Sequence, residues 1–318
     1  MDKDITLFVV CPCYNEEDVL PITLPRLLEK IDELKNENLI SDKSRLLLVD
    51  DGSKDKTWNI IESLDKNKVV GVKLAGNRGQ QVALLAGMHE AYKRECDCVI
   101  TIDVDLQDDI NKFKDMVEEY AKGIDIVYGV RQDRKTDSIF KRFTAQKYYK
   151  TMNKMGAKII YNSAEYRLMS RRALEGLFEY NEVNLFLRGI VQTEGYPSSF
   201  VYYDRAKREA GVSKYPLKKM LKLAYEGITS MTTTPLKAVR KCGIFNLVIG
   251  FIALITLTVL KYTIDLKDAN LYIILSALMF FTGLILVLLA FQGDYIGKIY
   301  TETKKRPLYF IDKTTDNK

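Results

Sequence analysis

The chain has 318 residues, and a composition that is 47% hydrophobic and 28% charged excludes a disordered protein and is ample for one large domain or two ordinary ones. The net charge of +6 conceals an asymmetry: residues 1–130 hold 17 Lys/Arg against 26 Asp/Glu, whereas residues 131–318 hold 31 against 16. A basic half is typical of proteins that bind nucleic acid, an anionic membrane surface or a phosphorylated substrate, and charge alone does not separate these classes.

The first half of the chain alternates short apolar runs with segments of helical length. The first run, residues 5–11, has acidic rather than basic flanks, so it predicts a strand and not a signal peptide. Helices are predicted after Asn15, over residues 57–64 and over residues 82–94. Strands are predicted at residues 5–10, 46–49, 69–74, 98–102 and 124–127. This alternation indicates an α/β fold with a mostly parallel sheet.

Polar clusters follow four of these predicted strands. The sequence PCYNEE follows the first strand, DDGSKDKT the second, NRGQQ the third and DVDLQDD the fourth. Ligands of parallel α/β sheets bind outside the carboxyl ends of the strands. We therefore expect the four loops to meet at one rim of the sheet and to form the functional site.

Two charge-free segments lie in the C-terminal part of the chain, at residues 242–260 and 271–292. As helices they would be about 28 and 33 Å long, close to the roughly 30 Å thickness of a bilayer's hydrocarbon core. They favour a transmembrane hairpin over two buried core helices. Lysines and arginines flank the pair more densely than the link between them, which predicts a multi-pass protein of the plasma (inner) membrane with the α/β domain and both termini in the cytoplasm. The flanking residues are Lys237, Arg240, Lys241, Lys298, Lys304, Lys305 and Arg306, against Lys261 and Lys267 in the link.

Two further segments have the character of interfacial helices. Residues 217–228 carry an apolar stripe at helical spacing with lysines off the stripe, as suits the headgroup layer of a membrane. Residues 139–161 mix aromatic and basic side chains. That second segment is equally compatible with an ordinary packed helix that has a solvated basic face.

The acidic cluster at residues 103–109 contains an Asp-x-Asp pattern at the end of a strand. Side chains at positions i and i+2 of an extended segment point the same way, so Asp103, Asp105 and Gln107 are candidate ligands of one Mg²⁺ or Mn²⁺. Such an ion usually also binds substrate phosphate oxygens. An acidic turn is the simpler alternative, since acidic residues are common in turns.

The loops after the first two strands carry candidate nucleoside contacts. Asp51 can accept hydrogen bonds from a base or a ribose hydroxyl, because a capping role does not need two adjacent acids. In the first loop, Tyr14 can stack on a base and Glu16 can accept a ribose hydroxyl. These residue types at one rim are typical of a nucleotide site.

Other polar residues have structural interpretations. Ser53 or Asp55 is predicted to cap the second helix, and Asp108 and Asp109 are predicted to cap a helix near Ile110 and to be replaceable. The cysteines form two C-x-C pairs at strand-like positions. With a single histidine in the chain, these pairs are interpreted as small buried residues in a reducing compartment rather than as a zinc site.

Together these motifs resemble a known family. The order PCYNEE, DDGSKDKT, NRGQQVALLAGM, DVDLQDD, VYGVR and REAGVSKY, followed by two hydrophobic segments and GDYIGKIYTETKKRPLYFI, resembles the family 2 glycosyltransferases of the polyprenyl-phosphate type. Within them the chain looks like dolichol-phosphate mannose synthases and, more closely, bacterial undecaprenyl-phosphate glucosyltransferases. The resemblance covers nearly the whole chain.

The resemblance implies a GT-A fold and an inverting transfer of a hexose from a nucleotide diphosphate sugar, UDP-glucose or a related UDP-sugar, to polyprenyl phosphate. It assigns the nucleoside to Pro12, Tyr14, Glu16 and Asp51. It places Asp103 at the ribose and diphosphate, and Asp105 and Gln107 at the metal. Arg131, Arg208 and Lys214 would grip the donor and acceptor phosphates. The acceptor is a phosphate monoester that is largely dianionic at neutral pH, so we expect no obligatory general base.

The chain departs from the family pattern at two places. Glu165-Tyr166-Arg167-Leu168 stands where the family more often has Asp-Phe-Arg, and Val212 stands where Glu often precedes Ser-Lys. These departures bear on the choice of sugar or lipid. Arg167 and Arg188 have an alternative role as structural partners of Glu165 or Glu182.

Three other functions compete with this interpretation. A processive membrane polysaccharide synthase would carry a Gln-x-x-Arg-Trp motif, but the only tryptophan, Trp58, lies near the donor loops. A non-catalytic nucleotide-sugar-binding membrane protein would not need both a metal site and the Arg208/Lys214 pair. A nucleic-acid-binding role ranks lowest, because the basic residues cluster beside hydrophobic segments rather than on a base-reading module.

The predicted organisation has four parts. Residues 1–213 form the cytoplasmic GT-A domain, residues 214–241 an amphipathic juxtamembrane region, residues 242–292 the two membrane helices, and residues 293–318 a cytoplasmic tail. The predicted partners are the nucleotide sugar, the polyprenyl phosphate and the membrane, with a homo-oligomer and a flippase for the lipid-linked sugar as further partners. Nucleic acid is not among them.

Overall fold

The computed structural model describes residues 5–132, 160, 162–180, 182, 186–206, 225 and 269–316. The chain divides into two compact units. The first comprises Met1–Gly227 together with Pro307–Lys318, and the second comprises Ile228–Arg306. The chain therefore leaves the first unit and returns to it, so the predicted tail at residues 293–318 belongs in part to the unit that contains the sheet.

The order of elements follows the predicted alternation through the first half. The strands are β1 (Leu7–Cys13), β2 (Arg45–Asp50), β3 (Val69–Leu74), β4 (Cys98–Thr101), β5 (Ile126–Arg131), β6 (Ser163–Ser170), β7 (Ser198–Tyr203) and β8 (Ile311–Thr314). The helices are α1 (Leu20–Asn36), α2 (Thr57–Glu62), α3 (Gln80–Lys93), α4 (Lys112–Ala121), α5 (Arg171–Phe178), α6 (Leu187–Thr193) and α7 (Ala269–Thr303). All five predicted strands and all three predicted helices are present.

The eight strands form one sheet in the order β7-β5-β6-β4-β1-β2-β3-β8. Strand β1 lies parallel to β2 and β4, β2 to β3, and β5 to β7. Strand β6 is antiparallel to β4 and β5, and β8 is antiparallel to β3. The predicted α/β class with a mostly parallel, GT-A-like sheet is confirmed.

The sequence did not predict β6, β7 or β8. Strand β6 is buried along all eight residues, yet it contains Glu165 and Arg167, whose charges conceal the strand in a hydrophobicity pattern. Strand β8 has no buried residue, because it lies at the edge of the sheet. These three strands convert a parallel core into a mixed sheet.

Apolar side chains cover both faces of the sheet. One cluster joins β1, β2 and β4 to α1, α2 and α4, and the other joins the opposite face to α3, α5 and α6. Helix α3 lies very close to the sheet at Gly87, where a Cβ atom would stand 2.4 Å from Val10 Cγ1 and 2.8 Å from Val49 Cγ2. This close packing fixes the N-terminus of α3 at the carboxyl ends of β1 and β2.

The cysteine prediction agrees with the described residues. Cys11 and Cys13 lie in β1, Cys96 and Cys98 lie at β4, and all four are buried and form no disulfide. Burial raises the pKa of the Cys11 thiol well above its usual value. Such thiols behave as small apolar side chains.

The predicted membrane region is only partly described. Residues 139–159, residues 214–224 and the first predicted span, residues 242–260, lie outside the described residues, and the second span, residues 271–292, falls within α7. Among the described parts of the chain, no helix is both long and apolar enough to cross a membrane. The predicted transmembrane hairpin is therefore not supported by the structure.

Candidate active site

The four polar loops meet at the carboxyl ends of the strands, as predicted. The loops after β1 and β2 are joined by hydrogen bonds. The Asn15 amide donates to Ser53 Oγ at 2.9 Å, and the Glu16 amide donates to Thr57 Oγ1 at 2.8 Å. In return, the Lys54 amide donates to Asn15 Oδ1 at 2.9 Å. These bonds make one wall of the site from two loops.

Asp51 connects this wall to the loop after β3. Its carboxylate is 3% exposed, and its two oxygens accept the backbone amides of Arg78 at 2.7 Å and Gly79 at 2.8 Å. Gly52 makes this approach possible, because it has φ of 66° and a Cβ atom there would stand 2.7 Å from the Asn77 nitrogen. Burial raises the pKa of Asp51, against the effect of the two amides. Asp51 thus lies at the predicted rim and also holds a loop.

Asp103 connects the third loop to the fourth. The Gln80 side chain at the N-terminus of α3 donates through Nε2 to Asp103 Oδ1 at 2.6 Å. Desolvation, followed by the charges of Asp108 and Asp105, raises the pKa of Asp103 to about 7, although Arg131 acts in the opposite direction. A carboxyl group with this pKa lies where a positive charge would be stabilised.

Asp108 is not a helix cap. Asn111 stands at the N-cap position of α4, and the Asp108 carboxylate is instead buried against Arg131 and Tyr203. Its Oδ1 atom accepts from Arg131 Nη2 at 2.9 Å and from the Tyr203 hydroxyl at 2.5 Å. The capping prediction was wrong because the partners of Asp108 come from β5 and β7. Asp109, by contrast, accepts the Asn111 amide at 3.0 Å and lies at the start of the helix.

Arg131 was predicted to bind phosphate, but in the structure its guanidinium group is held by other side chains of the protein. Its Nε and Nη2 atoms both donate to Asp108, and Nε also donates to the Tyr203 hydroxyl at 3.2 Å. Two of its three nitrogens are thus engaged by side chains of the protein. The guanidinium group balances the acidic loop rather than projecting from it.

Gln107, a predicted metal ligand, is also engaged by neighbouring residues. Its Oε1 atom accepts from Arg205 Nη2, and its carbonyl oxygen accepts from the Ala206 amide at 2.9 Å. The Gln107 amide itself donates to Asp105 Oδ1 at 3.2 Å. The segment after β7 thus holds the far end of the acidic loop.

The donor set at the rim fits a hard divalent cation. Within the described residues, no group of three or more His, Cys, Asp and Glu side chains is arranged to hold a metal ion. Asp103 and Asp105 supply two carboxylates, and the pKa of Asp103 is raised first by burial and then by the negative charges of Asp108 and Asp105. Two carboxylates with water and substrate phosphate oxygens form the usual ligand set of Mg²⁺. The assignment of Mg²⁺ or Mn²⁺ stays a prediction.

Of the other residues predicted to contact the substrates, three lie among the described residues and two do not. Pro12 is the last but one residue of β1, and Tyr14 and Glu16 lie half-buried in the loop that follows the strand. These positions agree with a nucleoside site at the first two loops, although no contact tests it. Arg208 and Lys214 lie outside the described residues.

Arg167 and Arg188 have the structural role that was considered for them. Both guanidinium groups pair with Glu165 on β6, Arg188 with a separation of 3.3 Å. Although burial acts in the opposite direction, the two arginines lower the pKa of Glu165. The departure at residues 165–168 is thus a buried ion pair within the sheet.

Sequence reasoning missed three residues of the site: Gln80, Tyr203 and Arg205. Gln80 had a detectable signal, because NRGQQ places an amide directly after a glycine and at the start of a helix. Tyr203 and Arg205 had none, since the pairing of β7 with β5 brings them to the rim from more than 70 residues away.

Comparison with known proteins gives a consistent family assignment. Residues 8–178 match the family model Glycosyl transferase family 2. A Bacillus subtilis (strain 168) protein named Uncharacterized glycosyltransferase YkoT is 48% identical over 308 residues, which cover 96% of this chain and 91% of that protein. The SfII prophage-derived bactoprenol glucosyl transferase of Shigella flexneri is 37% identical over 311 residues, covering 96% and 97%.

Among solved structures, glucosyl-3-phosphoglycerate synthase from Mycobacterium tuberculosis, in complex with phosphoglyceric acid, aligns with a TM-score of 0.46 and 17% identity. That alignment covers 71% of this chain and 79% of the other. The family model covers the four polar loops of the site, and the sequence relatives extend to nearly the full length. The chain is a glycosyltransferase and belongs to glycosyl transferase family 2.

Proposed function

We propose that the protein transfers a hexose from a nucleotide diphosphate sugar, UDP-glucose or a related UDP-sugar, to undecaprenyl phosphate or a similar polyprenyl phosphate. The observation that carries this proposal is the full-length relationship to proteins named bactoprenol glucosyl transferase. The SfII protein aligns over 97% of its length, well beyond the family domain at residues 8–178. The relationship thus includes the C-terminal region, where the acceptor lipid would be recognised.

The donor nucleotide would bind against the wall formed by the first two loops. Tyr14 would stack on the base, while Glu16 and Asp51 would accept hydroxyl groups of the nucleoside. Asp51 accepts two backbone amides through separate oxygens, and each carboxylate oxygen has a second lone-pair direction. A nucleoside contact at Asp51 is thus compatible with its role in holding the third loop.

Asp103 and Asp105 would hold Mg²⁺ or Mn²⁺ at the diphosphate. The ion, when bound, stabilises the negative charge that develops on the leaving nucleoside diphosphate. Partial burial of Asp103 strengthens these electrostatic interactions. Gln80 fixes the orientation of the Asp103 carboxylate through its 2.6 Å hydrogen bond.

In the transfer step, an acceptor phosphate oxygen forms a bond to the anomeric carbon while the bond from that carbon to the diphosphate oxygen breaks. Attack from the opposite face inverts the configuration. The acceptor is largely dianionic at neutral pH, so no side chain has to remove a proton. Arg208 and Lys214 remain our candidates for binding the acceptor phosphate, because cationic side chains offset the repulsion between two anions.

We also propose that residues 228–306 associate with the plasma (inner) membrane as a multi-pass segment. In α7, Ile274, Leu278, Ile285 and Leu289 are each more than half exposed, and apolar side chains so exposed favour a non-aqueous covering. The chain leaves the first unit at Gly227 and returns at Pro307, so membrane crossings in between would be even in number. Fractionation of cells tests this, and recovery in the soluble fraction would contradict it.

The decisive experiment incubates purified protein with undecaprenyl phosphate, Mn²⁺ and a panel of radiolabelled nucleotide sugars, followed by extraction of lipid-linked label. We expect lipid-linked label from one donor, and UDP-glucose is the first candidate for that donor. The absence of lipid-linked label from every donor would contradict the proposal. Omission of the lipid phosphate is the matched control for hydrolysis of the donor by water.

Lys214→Ala tests the acceptor side of the same reaction. We expect a higher apparent KM for lipid phosphate or a lower kcat, with a smaller effect on hydrolysis of the donor. An equal loss in both reactions would show that Lys214 serves the donor instead. A homo-oligomer and a flippase partner stay predictions that this assay does not address.

A further inference from the structure

Asp108 lies beside the candidate metal ligands and is tightly enclosed. Its side chain is 3% exposed, and Oδ1 alone accepts three hydrogen bonds. The donors are Arg131 Nη2 at 2.9 Å, Arg131 Nε at 3.2 Å and the Tyr203 hydroxyl at 2.5 Å. Charge-assisted bonds of this kind are shorter and stronger than neutral ones.

The strands fix the two partners of Asp108 relative to each other. Arg131 and Tyr203 are the last residues of the parallel strands β5 and β7, and they lie opposite each other in the register of that pair. The Gln132 amide donates to the Tyr203 carbonyl at 2.9 Å and continues the pairing by one residue. Asp108 thus anchors the acidic loop to a rigid pair of strand ends.

Arg131 has an electrostatic influence on the metal-binding pair as well. Burial, Asp108 and Asp105 raise the pKa of Asp103, and the charge of Arg131 acts against them. The guanidinium group lies at the acidic loop that contains Asp103 and Asp105, because its Nε and Nη2 atoms donate to Asp108 of that loop. A guanidinium group and a divalent cation compete for the same carboxylates.

We propose that Asp108 is a positioning residue that holds the Arg131 guanidinium at the end of β5 and keeps it off Asp103 and Asp105, so that these carboxylates stay available to a divalent cation. This inference rests on the metal-binding part of the proposed function. It explains why a third acid lies so near two others, although like charges repel. Asp108 neutralises an arginine that the loop would otherwise attract.

The test measures Mn²⁺ binding in the presence of UDP, from the electron paramagnetic resonance signal of free Mn²⁺, with the full-length protein. Asp108→Asn removes the charge that holds Arg131 and should weaken Mn²⁺ binding about tenfold. The double variant Asp108→Asn/Arg131→Gln also removes the competitor and should recover binding to within about threefold of the wild type. A merely structural role of Asp108 would give no such recovery.

Two further variants control for charge and for folding. Asp109→Asn makes the same change one residue along, at a carboxylate that accepts from Asn111, and should leave Mn²⁺ binding unchanged. Tyr203→Phe removes the hydrogen bond to Asp108 Oδ1 and the one accepted from Arg131 Nε, and it preserves every charge. It should weaken binding about threefold, and it tests the same contact if Asp108→Asn does not fold.

Unchanged binding in Asp108→Asn, or a double variant as weak as the single one, would overturn the inference and leave the glycosyltransferase proposal intact. If Asp108→Asn does not fold, unchanged binding in Tyr203→Phe would overturn it. A wild-type protein that binds no Mn²⁺ with UDP would overturn the metal assignment itself, and with it the inference, while transfer to lipid phosphate could still be measured independently.

Discussion

Two groups of buried charges lie in the same unit and behave in opposite ways. At the rim, Arg131 Nη2 lies 2.9 Å from Asp108 Oδ1, and Asp103 and Asp105 lie in the same acidic loop as Asp108. At the outer edge of the sheet, Glu90 and Asp316 enclose Arg94, whose Nη1 lies 2.7 Å from Glu90 Oε2 and whose Nη2 lies 2.7 Å from Asp316 Oδ1. Each group contains one arginine, and in the edge group that arginine forms an ion pair with both carboxylates.

The pKa values record this difference. The side-chain hydrogen bond from Arg94 lowers the pKa of Asp316, and despite burial Lys93 and Arg94 also lower the pKa of Glu90. The pKa of Asp103 is raised to about 7 by burial and by its acidic neighbours. A balanced group stabilises the fold, whereas an unbalanced one is prepared to bind a cation.

The edge group holds the C-terminal segment against the sheet. It anchors the C-terminal segment, which adds β8 to β3 and whose Thr315 Oγ1 accepts the Gly71 amide of β3 at 2.8 Å. The Phe310 carbonyl also accepts the Ala75 amide at 2.9 Å, at the start of the loop that Asp51 holds. The contacts at this edge therefore help to hold the loop after β3 in place, although they contribute no ligand to the site.

The largest effect is expected for Asp105→Ala at the rim. Loss of a metal ligand should lower metal-dependent turnover at least about 100-fold, because the cation supplies several kcal/mol of transition-state stabilisation. The melting temperature of the metal-free protein should not fall, since removal of one acid relieves repulsion. Transfer of radiolabelled sugar and thermal unfolding measure the two quantities. Full activity would show that the metal assignment is wrong.

The converse change is Arg94→Ala at the edge. It leaves Glu90, which is 1% exposed, without its arginine and releases Asp316, so the free energy of unfolding should fall by about 3 kcal/mol. Turnover per folded molecule should stay within about twofold of the wild type if the remaining contacts of β8 hold the third loop. Lys93→Ala is the matched control. The Lys93 side chain is 51% exposed, so its loss should cost less than about 1 kcal/mol.

A moderate effect of pH should separate the two groups. Because the pKa of Asp103 is about 7 without metal, protons compete with Mn²⁺ below pH 7. The half-saturating Mn²⁺ concentration should therefore rise up to about tenfold per pH unit as pH falls below 7, and should be nearly constant above pH 8.

The edge carboxylates should not contribute in this range. A lowered pKa means that their stabilisation is present above the usual pKa and is lost only as pH falls through the lowered value. A titration of Mn²⁺ activation at several pH values measures the difference. A flat profile between pH 6 and pH 8 would contradict the ionisation assigned to Asp103.

The smallest effect is expected at Glu194, whose pKa tests the effect of burial in the absence of neighbouring acids. Neither of its carboxylate oxygens has a hydrogen-bond partner among the residues that the structure describes. Burial raises its pKa from 4.5 to about 8, against the charge of Arg167. Between these values the folded state retains a proton that the unfolded state has lost, so Glu194 makes stability fall as pH rises.

Glu194→Gln should remove this decline and raise the melting temperature by a few degrees at pH 8, with little change at pH 5. Thermal unfolding at the two pH values measures it. Parallel pH profiles for the variant and the wild type would show that Glu194 is ionised in the folded protein. In that case burial alone would be too weak to raise the pKa of a carboxyl group this far. The raised pKa of Asp103 would then be attributed mainly to repulsion from its acidic neighbours.

The sequence by itself determined the parallel half of the fold and the general place of the site. Apolar runs such as β2 can be recognised as strands in the sequence, because a strand that is covered on both faces is apolar along most of its length. In β2, five of six residues are buried. The four loops had to converge, since parallel strands end at one edge of the sheet. The acidic cluster was recognisable as a place that attracts a cation.

Only the tertiary structure decided which polar groups face each other. Asp108 was indistinguishable from Asp109 as a helix cap, because its partners Arg131 and Tyr203 lie 23 and 95 residues away. Strand β8 meets Gly71 across 244 residues, and no local pattern encodes that contact. Propensity and periodicity act over a few residues, whereas the balance of buried charge depends on chain segments brought together by folding. That balance separates the reactive rim from the structural edge.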